Sequence, residues 1–556
     1  MAHILLVEDD ADQRVLRKLI LEKNGHTVVS AGSPSEALQA MQRTLGGAKE
    51  QPACVLMDLR LPKSEDGLKL IRDLKKLLPD LPVVVLSGWL DELLQSPEAS
   101  QVSATLTKPV RPERLLKTIS KLALFALGMI NAVTPLLAQT REFAFDVKQS
   151  AEVVAEVRMS SPGGDWAQRG REAPLAVLTL DGKQKQHLMV YGGPKERAYS
   201  VFLGRLEPGK HTLRVERDAT YSAAGAGLAV GNARFEALSD GDVRAQAVAQ
   251  APVLYARANT VGGFSDVPML VYYTKGSDAD GPWLEYTVIF SNEDGGTSTR
   301  DLMARWGRTT DIEYVYRVWL NPQGGPAKTL IQTREHQDVP YEGKREGTHP
   351  VLIPVTDNNM VEPAGEATPP IRYQLAPVAA DLSKGSREIV MDADPITYLV
   401  AAKELQREGK LRPAGMFDGE KVGDPRLYLV AELKVASKNA AVQVLVRRKQ
   451  GGPWKGSAVG IGKDFIERSG WVRTALELPP GTRLDDIVEV GVECLSRRDL
   501  EKQPLPKIGS CQVEATGRVF FLNSDYEPGP DVRLPALPPG GWKLQTGEMN
   551  TLLPQQ

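Results

Sequence analysis

Cysteine is scarce in this chain: three residues in 556 cannot build a disulfide scaffold. Cys54 falls in an apolar run and reads as a small buried filler. Cys494 and Cys511 share one strand-rich segment and could pair only in an oxidising compartment. An excess of either charge is also missing. With 68 basic and 70 acidic residues the net charge is −2, so no basic stripe or tail can neutralise phosphates, which excludes broad nucleic-acid binding. There is no internal repeat, low-complexity tract, nucleophile elbow, P-loop, zinc spacing or Rossmann fingerprint. Composition is otherwise ordinary, and the length calls for roughly three or four domains.

What is present is concentrated in the first fifth. Four apolar runs each end in residues able to do chemistry. Ile4 to Val7 runs into Glu8-Asp9-Asp10, and Cys54 to Met57 into Asp58-Leu59-Arg60-Leu61-Pro62. Val83 to Leu86 runs into Ser87-Gly88, and a fourth, short run precedes Lys108-Pro109. Val28-Val29 adds a further strand. Val15, Leu16, Leu19 and Ile20 recur at helical spacing, as do Leu68, Leu70, Ile71 and Leu74. Ser33-Pro34-Ser35-Glu36 is a helix start, with Ser33 as N-cap and Glu36 completing a capping box. Five strands alternating with helices predict a doubly wound parallel α/β sheet whose carboxyl edge binds ligands.

Glu8, Asp9 and Asp58 at one edge repel unless a cation sits among them. A hard divalent ion with oxygen ligands, Mg2+, removes that cost and can also hold a phosphoryl oxygen. Asp58 can then act as a carboxylate nucleophile and form an acyl phosphate. Lys108 supplies positive charge and Ser87 a hydroxyl donor to the incoming phosphoryl oxygens.

These residues, together with Asp66-Gly67, resemble the receiver domain of two-component response regulators over about 120 positions. The resemblance implies a flavodoxin-like fold, Asp58 as phosphoacceptor, and Glu8, Asp9, Asp58 and the Arg60 carbonyl as Mg2+ ligands. Ser87 and Lys108 would sense the phosphate. A sensor histidine kinase or phosphotransfer protein would be the donor. Two departures stand out. The loop after Pro62 is one residue longer than the family's usual Pro-Gly-x-Asp-Gly, and Thr105 takes the place, three residues before the lysine, where the family often has Tyr or Phe.

The last receiver helix, opening at Arg111-Pro112-Glu113-Arg114, runs into an uncharged stretch, residues 122–140, preceded by Lys117 and Lys121. Positive flank, apolar middle and small residues at the end match a signal peptide or a membrane anchor. Three readings stand side by side. In the first, an anchor or uncleaved signal leaves the receiver in the cytoplasm and residues 141–556 periplasmic or extracellular. In the second, a receiver is fused to a once-secreted protein. In the third, a long amphipathic helix packs within a soluble protein.

Beyond residue 140, weak helical periodicity with abundant Gly and Pro predicts mainly-β, sandwich-like domains. The expected division is 141–240 as a β-sandwich, 252–415 as a β-rich domain with a helix, 424–525 as another sandwich, and 526–556 as a Pro/Gly-rich tail. Glu293, Asp294, Arg305, Asp311, Glu313, His336, His349, Asp357 and Asn358 are the candidate cluster there, although turn and surface roles account for them as well. Asp311-Ile312-Glu313 ahead of Gly347-Thr348-His349-Pro350 faintly resembles the Vps62-like family over a few dozen residues and implies no reaction. The whole therefore reads as a phosphorelay receiver with output by protein contact, and with no enzymatic step beyond its own phosphorylation and dephosphorylation. The competing reading is an exported carbohydrate- or cell-surface-binding module, or a hydrolase, with the receiver incidental.

Overall fold

The structure, a computed structural model, describes residues 3–44, 52, 54–78, 81–88, 92–93, 96–108, 110, 115–116, 118, 140–413, 421–449, 452–458, 464–497 and 508–552. The uncharged stretch falls outside these residues, apart from Thr140, as do Pro109 and the start of the last receiver helix. Among the described residues no helix is long and apolar enough to cross a membrane. The chain forms two compact units, residues 1–137 and 138–556.

In the first unit, β1 (His3–Val7), β2 (Thr27–Ala31), β3 (Cys54–Asp58), β4 (Val83–Ser87) and β5 (Ala104–Thr107) form one parallel sheet in the order β2-β1-β3-β4-β5. This is the flavodoxin-type doubly wound order, in which the chain reverses direction beside β1 and leaves a crevice at the carboxyl edge. The central strands are apolar throughout because both faces are covered. Leu5, Val7, Val55, Met57, Val83 and Val85 pack on one side, with Ile71 and Leu74 from the helix behind them. Ile4, Leu6, Cys54, Leu56, Val84 and Leu86 pack on the other. Burial pushes the Cys54 thiol up to about 12, which suits an inert core residue.

The helices are α1 (Ala11–Lys23), α2 (Pro34–Thr44) and α3 (Ser64–Leu77). Ser33 caps α2, its hydroxyl accepting from the Glu36 amide at 3.3 Å, while the Glu36 carboxylate accepts from the Gly32 amide at 2.7 Å, one residue before the expected capping-box position. The first helix forms where the spacing predicts, but with a different face inward. Val15, Leu16 and Leu19 are 57%, 52% and 50% exposed, while Arg17 and Leu21 are buried. The cause is electrostatic: Arg17 is drawn inward onto the Glu8 carboxylate, and Arg14 donates to the Glu8 and Asp9 carbonyls at 2.6 and 3.2 Å.

The second unit is mainly β. A three-stranded sheet (Ala151–Ser160, Arg197–Leu206, Ala229–Leu238) faces a nine-stranded mixed sheet. That larger sheet takes Arg141–Val147, Leu175–Leu180, Gln184–Met189 and Gly209–Arg217, and also Val253–Tyr255, His349–Pro354 and Arg372–Tyr373. The joint is the parallel pairing of Tyr373 with His187. A six-stranded sheet is built around Pro268–Asp278, Gly281–Phe290 and Asp311–Leu320. Helices Thr299–Trp306 and Ile396–Arg407 lie in the same part of the chain, within the segment expected to be β-rich with a helix.

Residues 424–552 close as two sheets around their own core. Cys494 on Ile487–Ser496 and Cys511 on Ser510–Phe520 form a disulfide between those sheets, with Cα atoms 5.7 Å apart. The Pro/Gly-rich tail contributes strands rather than only loop. Trp542–Gln545 pairs with the Cys511 strand and Met549–Leu552 with the Cys494 strand. Its short apolar alternations pair with strand edges already in place, where ladder hydrogen bonds outweigh weak propensity.

Candidate functional site

The site lies at the carboxyl edge of the parallel sheet, where β1, β3, β4 and β5 end side by side. Glu8 follows β1 and its amide donates to the Ala31 carbonyl at 3.1 Å, which sets the acid beside the crevice. Asp9 comes next and is exposed. Asp10 serves the helix instead, its carboxylate accepting from the Asp12 and Gln13 amides, both at 3.0 Å, and so capping α1. The third acid of the run is thereby removed from the site.

Asp58 ends β3 and is 8% exposed, while Glu8 is 1% exposed. Glu8, Asp9 and Asp58 each bring a carboxylate oxygen within 4.8 Å of the others. Lys108, just beyond β5, holds its Nζ 2.5 Å from Asp58 Oδ2 and 3.7 Å from Glu8 Oε2. Its own amide donates to the Ser87 carbonyl at 3.0 Å, which ties the lysine to the end of β4. Ser87 is buried there. The oxygen-only donor set suits a hard divalent cation. Three carboxylates against Lys108 and the Glu8-bound Arg17 leave negative charge for such an ion to neutralise.

Arg60 is placed two residues after Asp58, its amide donating weakly to Asp58 Oδ1 at 3.4 Å. Its side chain leaves the site for Glu92, at 2.7 Å, and Glu92 also accepts from the Ser64 hydroxyl. These two bonds, Ser64 first, hold the Glu92 carboxyl below its usual range. The Asp66-Gly67 pair also has a physical reason. Asp66 accepts from the Lys63 amide at 3.2 Å at the start of α3, and a Cβ on Gly67 would stand 2.0 Å from the Leu59 carbonyl oxygen. Only glycine lets α3 approach the loop that carries Asp58 so closely. Thr105 is exposed on β5.

One member of the site is not legible from motifs: Arg17. It is buried against Glu8, and burial lowers its pKa while the Asp58 charge raises it. The one signal for it is helical spacing, since Arg14, Arg17 and Leu21 fall on one stripe of α1 pointing back toward Glu8.

The candidate residues of the second unit separate into structural groups. Asp294 and Asp357 meet on Arg257, which also binds Asp266. Glu293 accepts from the Thr297 amide at 2.7 Å, and burial first, then Asp311, pushes its carboxyl up to about 8. Asp311 accepts from Asn359 at 3.0 Å, and burial raises its pKa and that of Glu313. Arg305 pairs with Glu467 at 3.1 Å, and Asn358 accepts from Thr356 at 2.6 Å. His336 sits in an exposed turn with φ +55°. His349 is buried, bonded to the Ala251 carbonyl at 2.9 Å and stacked on Phe202. Neither histidine joins an acid of the proposed cluster. Among the described residues no tryptophan or tyrosine is fully exposed.

Comparison with known proteins agrees with the edge geometry. The family described as the response regulator receiver domain matches residues 4–120. The transcriptional regulatory protein GlrR of Escherichia coli K12 is 33% identical over 120 residues, covering 21% of this chain and 25% of that protein. The probable methanogenesis regulatory protein FilR2 of Methanothrix harundinacea is 33% identical over 137 residues, covering 24% of this chain and 88% of that protein. A crystal structure of a response regulator receiver domain protein from Clostridium thermocellum is 25% identical, covers 24% of this chain and 99% of that one, and superposes with a TM-score of 0.21. The chain thus spans about a quarter of the length of the E. coli regulator. Through residues 4–120 it belongs to the response regulator receiver domain family.

Proposed function

We propose that Asp58 accepts a phosphoryl group from the phosphohistidine of a sensor histidine kinase or phosphotransfer protein. Receiver domains act in phosphorelay signalling and generally take phosphate from such kinases. The observation that carries the residue assignment is the convergence of the Glu8, Asp9 and Asp58 oxygens within 4.8 Å beside the Lys108 ammonium.

In this reading an Asp58 carboxylate oxygen attacks phosphorus, the P–N bond to histidine breaks, and the histidine leaves as imidazole. Lys108 moves its hydrogen bonds from the carboxylate to the arriving phosphoryl oxygens, and Ser87 donates its hydroxyl to another. A Mg2+ held by Glu8, Asp9, Asp58 and the Arg60 carbonyl would supply charge neutralisation on those same oxygens. Output passes by protein contact. Incubation with acetyl phosphate and Mg2+ should add one phosphate, seen by intact mass, and Asp58→Asn should abolish it. Labelling that survives Asp58→Asn would remove this assignment.

One observation favours a second reading for residues 141–556. The Cys494–Cys511 disulfide fits an oxidising compartment and hence an exported β-rich binding module or hydrolase. Protease added to intact cells should then digest residues 141–556 and spare 1–120. Full protection, with both cysteines found as free thiols, would dismiss it.

A further inference from the structure

The second unit contains a pocket that the receiver chemistry does not use. It is an open recess of about 270 Å3 lined by Ser386, Arg387, Glu388, Arg468, Trp471 and Leu382. Two parts of the chain line it, 382–388 and 468–471, and a helix packs against the second. Helix Thr299–Trp306 ends at Gly307, in the left-handed conformation at φ +65°, and packs on strand Gly470–Glu477, where the Thr474 hydroxyl donates to the Ala304 carbonyl. The chain just before that strand brings in Arg468, whose guanidinium donates to the Arg305 carbonyl at 2.6 Å. The loop Leu382–Glu388 closes the side and is tied down by the Trp471 indole, which donates to the Ser383 carbonyl at 3.1 Å.

Positive charge is in excess here. The guanidiniums of Arg305, Arg468 and Arg308 lie 4.3, 5.3 and 5.6 Å from the centre of the same Trp306 ring. Two nearby acids are engaged directly, Glu388 by Arg308 at 3.0 Å and Glu467 by Arg305 and Arg497 at 3.1 and 3.3 Å, while Glu388, Glu313 and Asp311 act on Arg387 at longer range. Neither Arg387 nor Arg468 has a carboxylate within 4.0 Å among the described residues. Burial opposes ionisation of Glu388, yet Arg308, Arg387, Arg473 and Arg468 hold its carboxyl down to about 2. Burial, aided by the neighbouring arginines, brings Arg468 down to about 9 against the pull of Glu388. The Ser386 hydroxyl, 4% exposed, lines the same pocket with no hydrogen-bond partner. Guanidiniums with no carboxylate in direct contact and a buried hydroxyl without a partner both carry a desolvation cost that a ligand can remove.

We propose that this pocket binds a small organic oxyanion, its head held by Arg387, Arg468 and Ser386 and its body against Trp471 and Leu382. A guanidinium fork matches the two or three oxygens of a carboxylate or phosphate. The indole and leucine walls favour a ligand with an apolar face, and the volume suits a single ring or short chain. The inference stands independently of the receiver assignment.

Isothermal titration of the full chain with benzoate, with inorganic phosphate, and with neutral benzamide tests it. We expect an anion to bind and benzamide not to. Benzoate binding alone marks a carboxylate ligand, and phosphate binding alone a phosphorylated one. Arg387→Ala should weaken binding by about tenfold or more and Arg387→Lys by less, as expected where a fork is replaced by a point charge. Because Arg468→Ala removes a buried residue, Ser386→Ala serves as the second variant, with the unliganded melting temperature as folding control and a severalfold loss of affinity expected. The proposal is overturned if neither anion binds at millimolar concentration, if benzamide binds as well as benzoate, or if both variants bind as the unaltered chain does.

Discussion

Both units gather carboxylates, and they neutralise them by opposite means. At the receiver edge Glu8, Asp9 and Asp58 converge beside a single lysine, with Asp9 open to solvent, so the remaining charge is accessible to an ion and a phosphoryl donor. In the second unit one such cluster is sealed in. Arg473, with no exposed surface, binds Asp392 at 2.7 Å and Glu432 at 2.5 Å, and Arg518 joins both acids. Glu404 lies fully buried, and burial first, then Glu408, pushes its carboxyl up to about 8. Clustered acids therefore make a chemical site only where solvent reaches them and no arginine has already closed the charge balance.

The strongest way to break this contrast is to open one of the sealed networks. Arg473→Ala should destabilise the second unit by about 3–5 kcal/mol, the usual cost of leaving buried acids short of a partner. Denaturant unfolding should show that loss while phosphorylation from acetyl phosphate remains unchanged. Lys108→Ala tests the open site in return. It should slow phosphate incorporation by about a hundredfold, the typical cost of removing one preorganised donor, with little change in melting temperature.

A finer test concerns Arg17, the arginine paired with Glu8. Arg17→Leu should leave Glu8 without its internal cation and tighten Mg2+ binding by about tenfold, or 1.4 kcal/mol. A magnesium titration followed by intrinsic fluorescence would measure this. An unchanged affinity would show that Arg17 serves only packing.

The smallest effect lies in the pH dependence. Glu404 titrates near 4.5 when unfolded and near 8 when folded, so the folded state binds the extra proton between those values. Its stabilising contribution is complete below about pH 4.5 and is lost as pH rises through about 8. Glu404→Gln should flatten the fall in melting temperature of the second unit between about pH 5 and pH 9. An equal slope in the variant would assign the pH dependence to other groups.

How much was legible differs between the units for a physical reason. In the receiver, period-3.6 and continuous apolar runs place strands and helices, and a parallel sheet then forces the strand ends to one edge. Glu8, Asp9, Asp58, Ser87 and Lys108 were therefore readable as a set. Arg17 was not, because it lies off the apolar face of Val15, Leu16, Leu19 and Ile20 and reads as solvent-facing until Glu8 is seen beneath it. In the second unit alternation marked most strands but not their partners. Tyr373 pairing with His187, and the tail strand Met549–Leu552 completing a sheet with Ile487–Ser496, join segments distant in sequence.

The sequence by itself determined the receiver fold, the identity of its edge residues and the mainly-β character beyond residue 140, since these follow from local periodicity and short connections. It took the folded chain to set which face of α1 turns inward, which strands share a sheet and where Arg387 and Arg468 line one pocket without a direct carboxylate contact. Those outcomes depend on burial and on charge pairing between residues far apart in the chain, energies that no local pattern encodes.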